Sequence, residues 1–175
     1  MWKKISKYYP PWLEFIPMLL VFSIFFYTFY YYGKLPEVIP THFNAAGTPD
    51  SWGPKGTIII LPVLSFGIYA MDFLIKYFLI IKPEDPSKVV NLSEKRKALL
   101  GKERLEKIRT IAVRSMWAID TLVAMLFLFI IDTTIKTALG EQVAFSMGIW
   151  LIVGLLLGIT LFLIIRLWTL SKVPD

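Results

Sequence analysis

Four runs of mainly apolar residues, each about twenty long, restrict the fold of this chain more than any motif does. They fall at about 12–32, 57–81, 111–131 and 143–165. The residues between them are too few for a sizeable second domain. The composition agrees: 56% of the 175 residues are hydrophobic, only 18% are charged, and the mean hydropathy is +0.61. The expected fold is an all-α integral membrane protein. It is a bundle of four transmembrane helices, with a short irregular or extended extracellular loop at 33–56 and an amphipathic cytoplasmic helix at about 93–110.

Lys3, Lys4 and Lys7 precede the first run in the manner of a signal peptide. The run is too long for a signal core, and the GKLPE that follows lacks a small-x-small cleavage site, so it reads as a retained anchor. Tyr8, Tyr9 and Trp12 mark one interface, and Tyr27, Tyr30, Tyr31 and Tyr32 the other. Direction follows from the flanking cations. Beside Lys3, Lys4 and Lys7, the same side holds Lys82, Lys88, Lys95, Arg96, Lys97, Lys102, Arg104, Lys107, Arg109, Arg166 and Lys172. The other side has Lys34, Lys55 and Lys136. Both termini are therefore expected in the cytoplasm of a multi-pass cell-membrane protein, and the 33–56 loop outside. The net charge of +6 belongs to this topology and to anionic lipid, not to nucleic acid. With no cysteines, disulfides, thiolate metal sites and cysteine nucleophiles are excluded.

In the cytoplasmic connection, Pro83 and Pro86 break the second span's helix. Ser93 then reads as an N-cap, with Glu94 in the first turn. Leu99, Leu100, Leu105 and Ile108 recur at helical spacing among charges, so this helix is expected along the inner leaflet, running into the third span. It serves either as a lipid-hugging connector or as a docking site for a cytoplasmic regulator.

Ionisable residues also fall inside the spans. Ser65, Tyr69, Asp72 and Lys76 follow i, i+4, i+7 and i+11 and share one helix face. Arg114, Trp117 and Asp120 cover a neighbouring arc of the third span, where Arg114 can stack on Trp117. Asp72 and Asp120 each lie about 15 Å from the cytoplasmic boundary by helical rise. Two acids and two bases are thus expected to share the inner half of the bilayer with cancelling charge. They form either packing glue or an ion or proton relay. Gly154 and Gly158, a small-xxx-small pair, predict close helix approach within the bundle.

The outer loop is the densest polar segment. Prolines at 36, 40, 49 and 54 keep it extended, while Asn44 and Gly47 suit a turn and 48–53 a second one. His42, Phe43, Asn44, Gly47, Asp50 and Trp52 are the candidate binding residues. Asp50 could orient His42 as a general base, but nothing marks an oxyanion hole. A zinc site needs three or four ligands, and His42, Asp50 and Glu37 would have to converge by accident. No catalytic residue, metal or cofactor is expected.

The run LPEVIPTHFNAAGTPDSWGPK resembles the signature loop of the N-terminal membrane domain of SdpI-like immunity proteins. The matching elements are Leu35-Pro36, Pro40, His42-Phe43-Asn44, Gly47, Pro49-Asp50, Trp52 and Lys55. The apolar span and basic helix that follow agree in order and type. The resemblance implies protection from a secreted toxic peptide, with the signal passed to a cytoplasmic repressor held at the membrane. Three functions are therefore weighed. The first is a binding and signalling protein that meets a secreted peptide outside and a regulator inside. The second is a small proton- or ion-coupled transporter using Asp72 and Asp120. The third is a metal-dependent membrane enzyme centred on His42.

Overall fold

The computed structural model describes residues 1–141 and 147–172. A short helix α1 (Trp2–Ile5) and a 3-10 turn (Pro11–Glu14) lead into α2 (Phe15–Tyr32). Strands β1 (Val38–Phe43) and β2 (Pro49–Pro54) follow as an antiparallel hairpin. A 3-10 turn (Lys55–Ile59), α3 (Ile60–Leu74) and a π-helical stretch (Ile75–Ile81) make the second rod. The chain then forms α4 (Glu94–Ala138) and α5 (Met147–Ser171). Among the described residues, four helices are long and apolar enough to cross a membrane: Pro11–Tyr32, Lys55–Ile81, Glu94–Ala138 and Gly148–Ser171. They suggest a multi-pass membrane protein.

The first two long helices, Pro11–Tyr32 and Lys55–Ile81, begin slightly before the apolar runs at 12–32 and 57–81. The third continues past residue 131 to Ala138, because Asp132 and Lys136 lower local hydropathy without breaking the helix. They form an i, i+4 ion pair at 2.9 Å along its surface. The fourth runs past residue 165 to Ser171, while its expected start at residue 143 lies outside the described residues.

α4 is the hub of the bundle, packing on α2, α3, α5 and β1. Toward the hairpin end, Ile24, Leu35, Ile39, Ile58, Ile131 and Ile135 form one buried cluster. Toward the termini, Ile5, Tyr8, Tyr9, Ile81 and Val113 form another.

The segment expected as a short irregular or extended loop forms a two-stranded antiparallel sheet. Its turn explains why. The Asn44 carbonyl accepts from Gly47 N–H at 2.8 Å, and Asn44 Oδ1 accepts from the N–H groups of Ala46 and Thr48 at 3.0 and 3.1 Å. Gly47 adopts φ 79°, a left-handed conformation that suits glycine. A lone hairpin is marginal in water. This one is held by burial of Leu35 and Ile39 against the spans.

The amphipathic segment is the first part of α4 and, not expected from its sequence, is itself broken at Gly101 (φ 71°, ψ 164°). Ser93 caps it by accepting from Arg96 N–H at 3.4 Å. Much of its apolar side packs on protein. Leu100, Leu105 and Ile108 pack on Val90, Leu92, Leu167 and Leu170, while Leu99 stays exposed. The last turns of α5 therefore find protein partners, which is why that helix outlasts its hydropathy peak. A Cβ on Gly101 would meet open space, so the cost of substitution there is purely conformational. Gly101→Ala is expected to destabilise by about 1–3 kcal/mol through that backbone region alone. A lowered thermal midpoint of the detergent-purified protein would show it.

Gly154 and Gly158 also depart from expectation. Both lie on the exposed face of α5 with nothing near their Cα hydrogens, so they do not bring helices together within the bundle. Helical period places them on one face, but the rotation of α5 turns that face outward.

Candidate functional site

Two polar constellations stand out. The first is buried between the spans. Lys76 lies in the first turn of the π-helical stretch and its side chain is 1% exposed. Its Nζ lies 3.0 Å from Glu14 Oε1, 3.2 Å from Asp120 Oδ2 and 4.0 Å from Asp72 Oδ2. The Glu14 and Asp120 side chains are 3% and 4% exposed, and that of Asp72 25%. Tyr9 donates its hydroxyl to Glu14 Oε1. Burial, and then that bond to Glu14, raise the Tyr9 phenol far above its ordinary value, so it remains a donor. Tyr69 faces Glu14 and Asp120 from α3, and Ser65 is buried on the same side with its hydroxyl unpartnered.

Glu14 has no place in the cluster read from sequence, although an acidic residue inside the first apolar run was the available signal. Arg114 goes the other way. Its Nε donates to the Tyr8 carbonyl at 2.7 Å, tying α4 to the N-terminal segment. Trp117 does not pair with Arg114; its indole N–H donates to the Leu13 carbonyl at 3.0 Å and its ring lies 6.1 Å from that of Tyr9. The expected balance of two acids and two bases is thus replaced by three acids around one lysine. The cation that reads as a neutraliser serves a backbone carbonyl instead. A second buried cation, Arg109, also holds backbone: its Nη2 donates to Ile81 O at 2.6 Å and Pro83 O at 2.7 Å. Those carbonyls are freed where the π-helical stretch ends and proline follows.

The second constellation is the hairpin. Strand pairing sets Pro40 opposite Trp52, His42 opposite Ser51 and Phe43 opposite Pro49. Thr41 and Asp50 are therefore extra residues, one on each strand, and such bulges re-aim side chains. The result joins His42 Nδ1 to Asp50 Oδ1 at 2.5 Å, with the two side chains 67% and 43% exposed. Trp52 is exposed as well, whereas Phe43 is half-buried beside Ile39 and Thr57 in a shallow groove. Asn44 and Gly47 are committed to the turn itself. Below the strands, Lys55 bonds Glu37 at 2.9 Å and lies 5.6 Å from the Tyr32 ring centre. Lys34 sits 4.0 Å over Tyr30. The hairpin pair faces solvent rather than a cavity. Among the described residues no group of three His, Asp or Glu side chains is placed to hold a metal.

Comparison with known proteins meets the hairpin too. A family model described as a domain of unknown function, DUF1648, matches residues 19–66. That segment runs from within α2, through both strands, into α3. An uncharacterized protein of Archaeoglobus fulgidus is 36% identical over 47 residues. The aligned part is 27% of this chain and 26% of the archaeal protein, so the match spans about a quarter of that relative. No solved structure matches.

Proposed function

We propose that this chain is a membrane-embedded binding and signalling protein of the immunity type. Its hairpin faces the cell exterior and meets a secreted peptide, and the basic end of α4 meets a cytoplasmic partner. The observation that carries this reading is the platform beneath the hairpin. Ile39 and Leu35 bolt it to the spans, while His42, Asp50 and Trp52 are left exposed on the other side. A hydrogen-bonding pair beside an exposed indole on a rigid support is what peptide capture requires: an aromatic anchor with adjacent polar groups. The lysine and arginine asymmetry supports the direction, and the likeness of residues 19–66 to a family model centred on the hairpin supports the choice of segment.

The test has two arms. The chain has no native cysteine, so Ala45→Cys at the exposed turn gives a single thiol. A membrane-impermeant maleimide should label it in intact cells; labelling only after lysis would reverse the ligand side. Cells expressing the protein are then challenged with candidate secreted peptides. Trp52→Ala and His42→Ala are expected to weaken peptide binding about tenfold or more, with folding unchanged. Full protection by both variants against every peptide that the parent resists would remove the hairpin from the function.

A further inference from the structure

Three carboxyl groups enclose a single ammonium in the buried cluster, and together they would carry two uncompensated negative charges if all were ionised. Lipid surrounds the bundle, and uncompensated charge there is strongly disfavoured. The bonding pattern shows the same deficit of positive charge. Glu14 Oε2 and Asp72 Oδ2 are buried with no hydrogen-bond partner, although Glu14 is 3% exposed and its other oxygen touches Lys76. Asp72 Oδ2 and Asp120 Oδ2 both turn to that one ammonium, at 4.0 and 3.2 Å. Carboxylates gathered on a single buried cation repel one another unless a proton neutralises one of them. A metal ion does not fill the gap, because the lysine ammonium already occupies the centre.

We propose that Glu14, Asp72 and Asp120 around Lys76 form a proton-binding site within the membrane, with Asp72 as the residue through which protons enter and leave. Asp72 is the most exposed of the four side chains, the others being nearly sealed. A hydronium ion delivers its proton to the Asp72 carboxylate; an O–H bond forms there, water departs, and one of the two uncompensated charges is neutralised. Release reverses the step and returns the proton to water. Tyr9, Tyr69 and Lys76 complete the polar wall, and Arg114 is occupied by the Tyr8 carbonyl. A groove of about 380 Å³ between α2 and α3 reaches Glu14 past Phe15, Met18, Phe66, Tyr69 and Phe73, so the apolar side of the site faces lipid. The inference stands apart from what the hairpin binds.

Infrared difference spectroscopy of the full-length protein in lipid nanodiscs tests it directly. Exposed carboxylates lose their protons near pH 4, so a protonated-carboxyl C=O band persisting near pH 7 reports sequestered groups. That band is expected in the parent, to disappear as the pH is raised further, and to be lost or shifted in Asp72→Asn and Asp120→Asn. Circular dichroism shows whether each variant folds. If neither does, 13C-aspartate labelling of the parent decides, because the band must then move to lower frequency. A parent with no such band, a band insensitive to the label and to both folded variants, or one that responds to sodium at fixed pH and not to protons overturns the proposal.

Discussion

Lys76→Met is expected to destabilise the protein by about 3–5 kcal/mol, the cost of removing one partner from a buried ion pair. The lysine is the ammonium shared by Glu14 and Asp120, with Asp72 at 4.0 Å, and it sits where water cannot replace it. Methionine preserves most of the volume, so packing loss is small and the effect reports charge. The measurement is equilibrium unfolding in mixed micelles, parent against variant. Lys76→Met combined with Asp120→Asn should recover part of the loss, because one of the stranded carboxylates is then gone. Additive losses in the double variant would mean that the two side chains are not coupled, against the 3.2 Å contact seen here.

Ile39→Ala should cost about 2–5 kcal/mol, whereas Val38→Ala, its neighbour on the same strand, should stay within about 0.5 kcal/mol. Strand geometry sends the two side chains to opposite faces. Ile39 enters the cluster with Ile24, Leu35, Ile58, Ile131 and Ile135, and Val38 points to solvent. The hairpin is a short sheet with one anchored face, so losing that face frees it from the bundle. Hydrogen exchange at the β1 and β2 amides is the sensitive readout: strong deprotection in Ile39→Ala and little change in Val38→Ala. The reverse order would mean that the strand register is shifted by one residue.

Much of the architecture was legible before any tertiary information. Span number, the first two span boundaries, the Ser93 cap and the Asn44–Gly47 turn all depend on local physics. Hydropathy over about twenty residues, a capping hydroxyl or a glycine at positive φ needs no knowledge of a distant neighbour. The inward stripe of Ser65, Tyr69, Asp72 and Lys76 follows from helical period in the same way. The sheet was harder to read, because its short strands are rich in proline and carry two bulges.

What each of those helices faces is a different kind of fact. Glu14 meets Lys76 because the 3-10 turn before α2 carries it beside the π-helical end of the second rod. Arg114 leaves the charge cluster because the N-terminal segment offers it the Tyr8 carbonyl. Gly154 and Gly158 face outward because α5 is rotated to put Leu167 and Leu170 against the start of α4. Sequence by itself determined which segments are long and apolar enough to cross a membrane and where the chain turns, since both follow from transfer energies and backbone preferences of consecutive residues. Only the tertiary structure decided which charges meet, because partner choice depends on the rotation and depth of one helix against another, and no local preference encodes either.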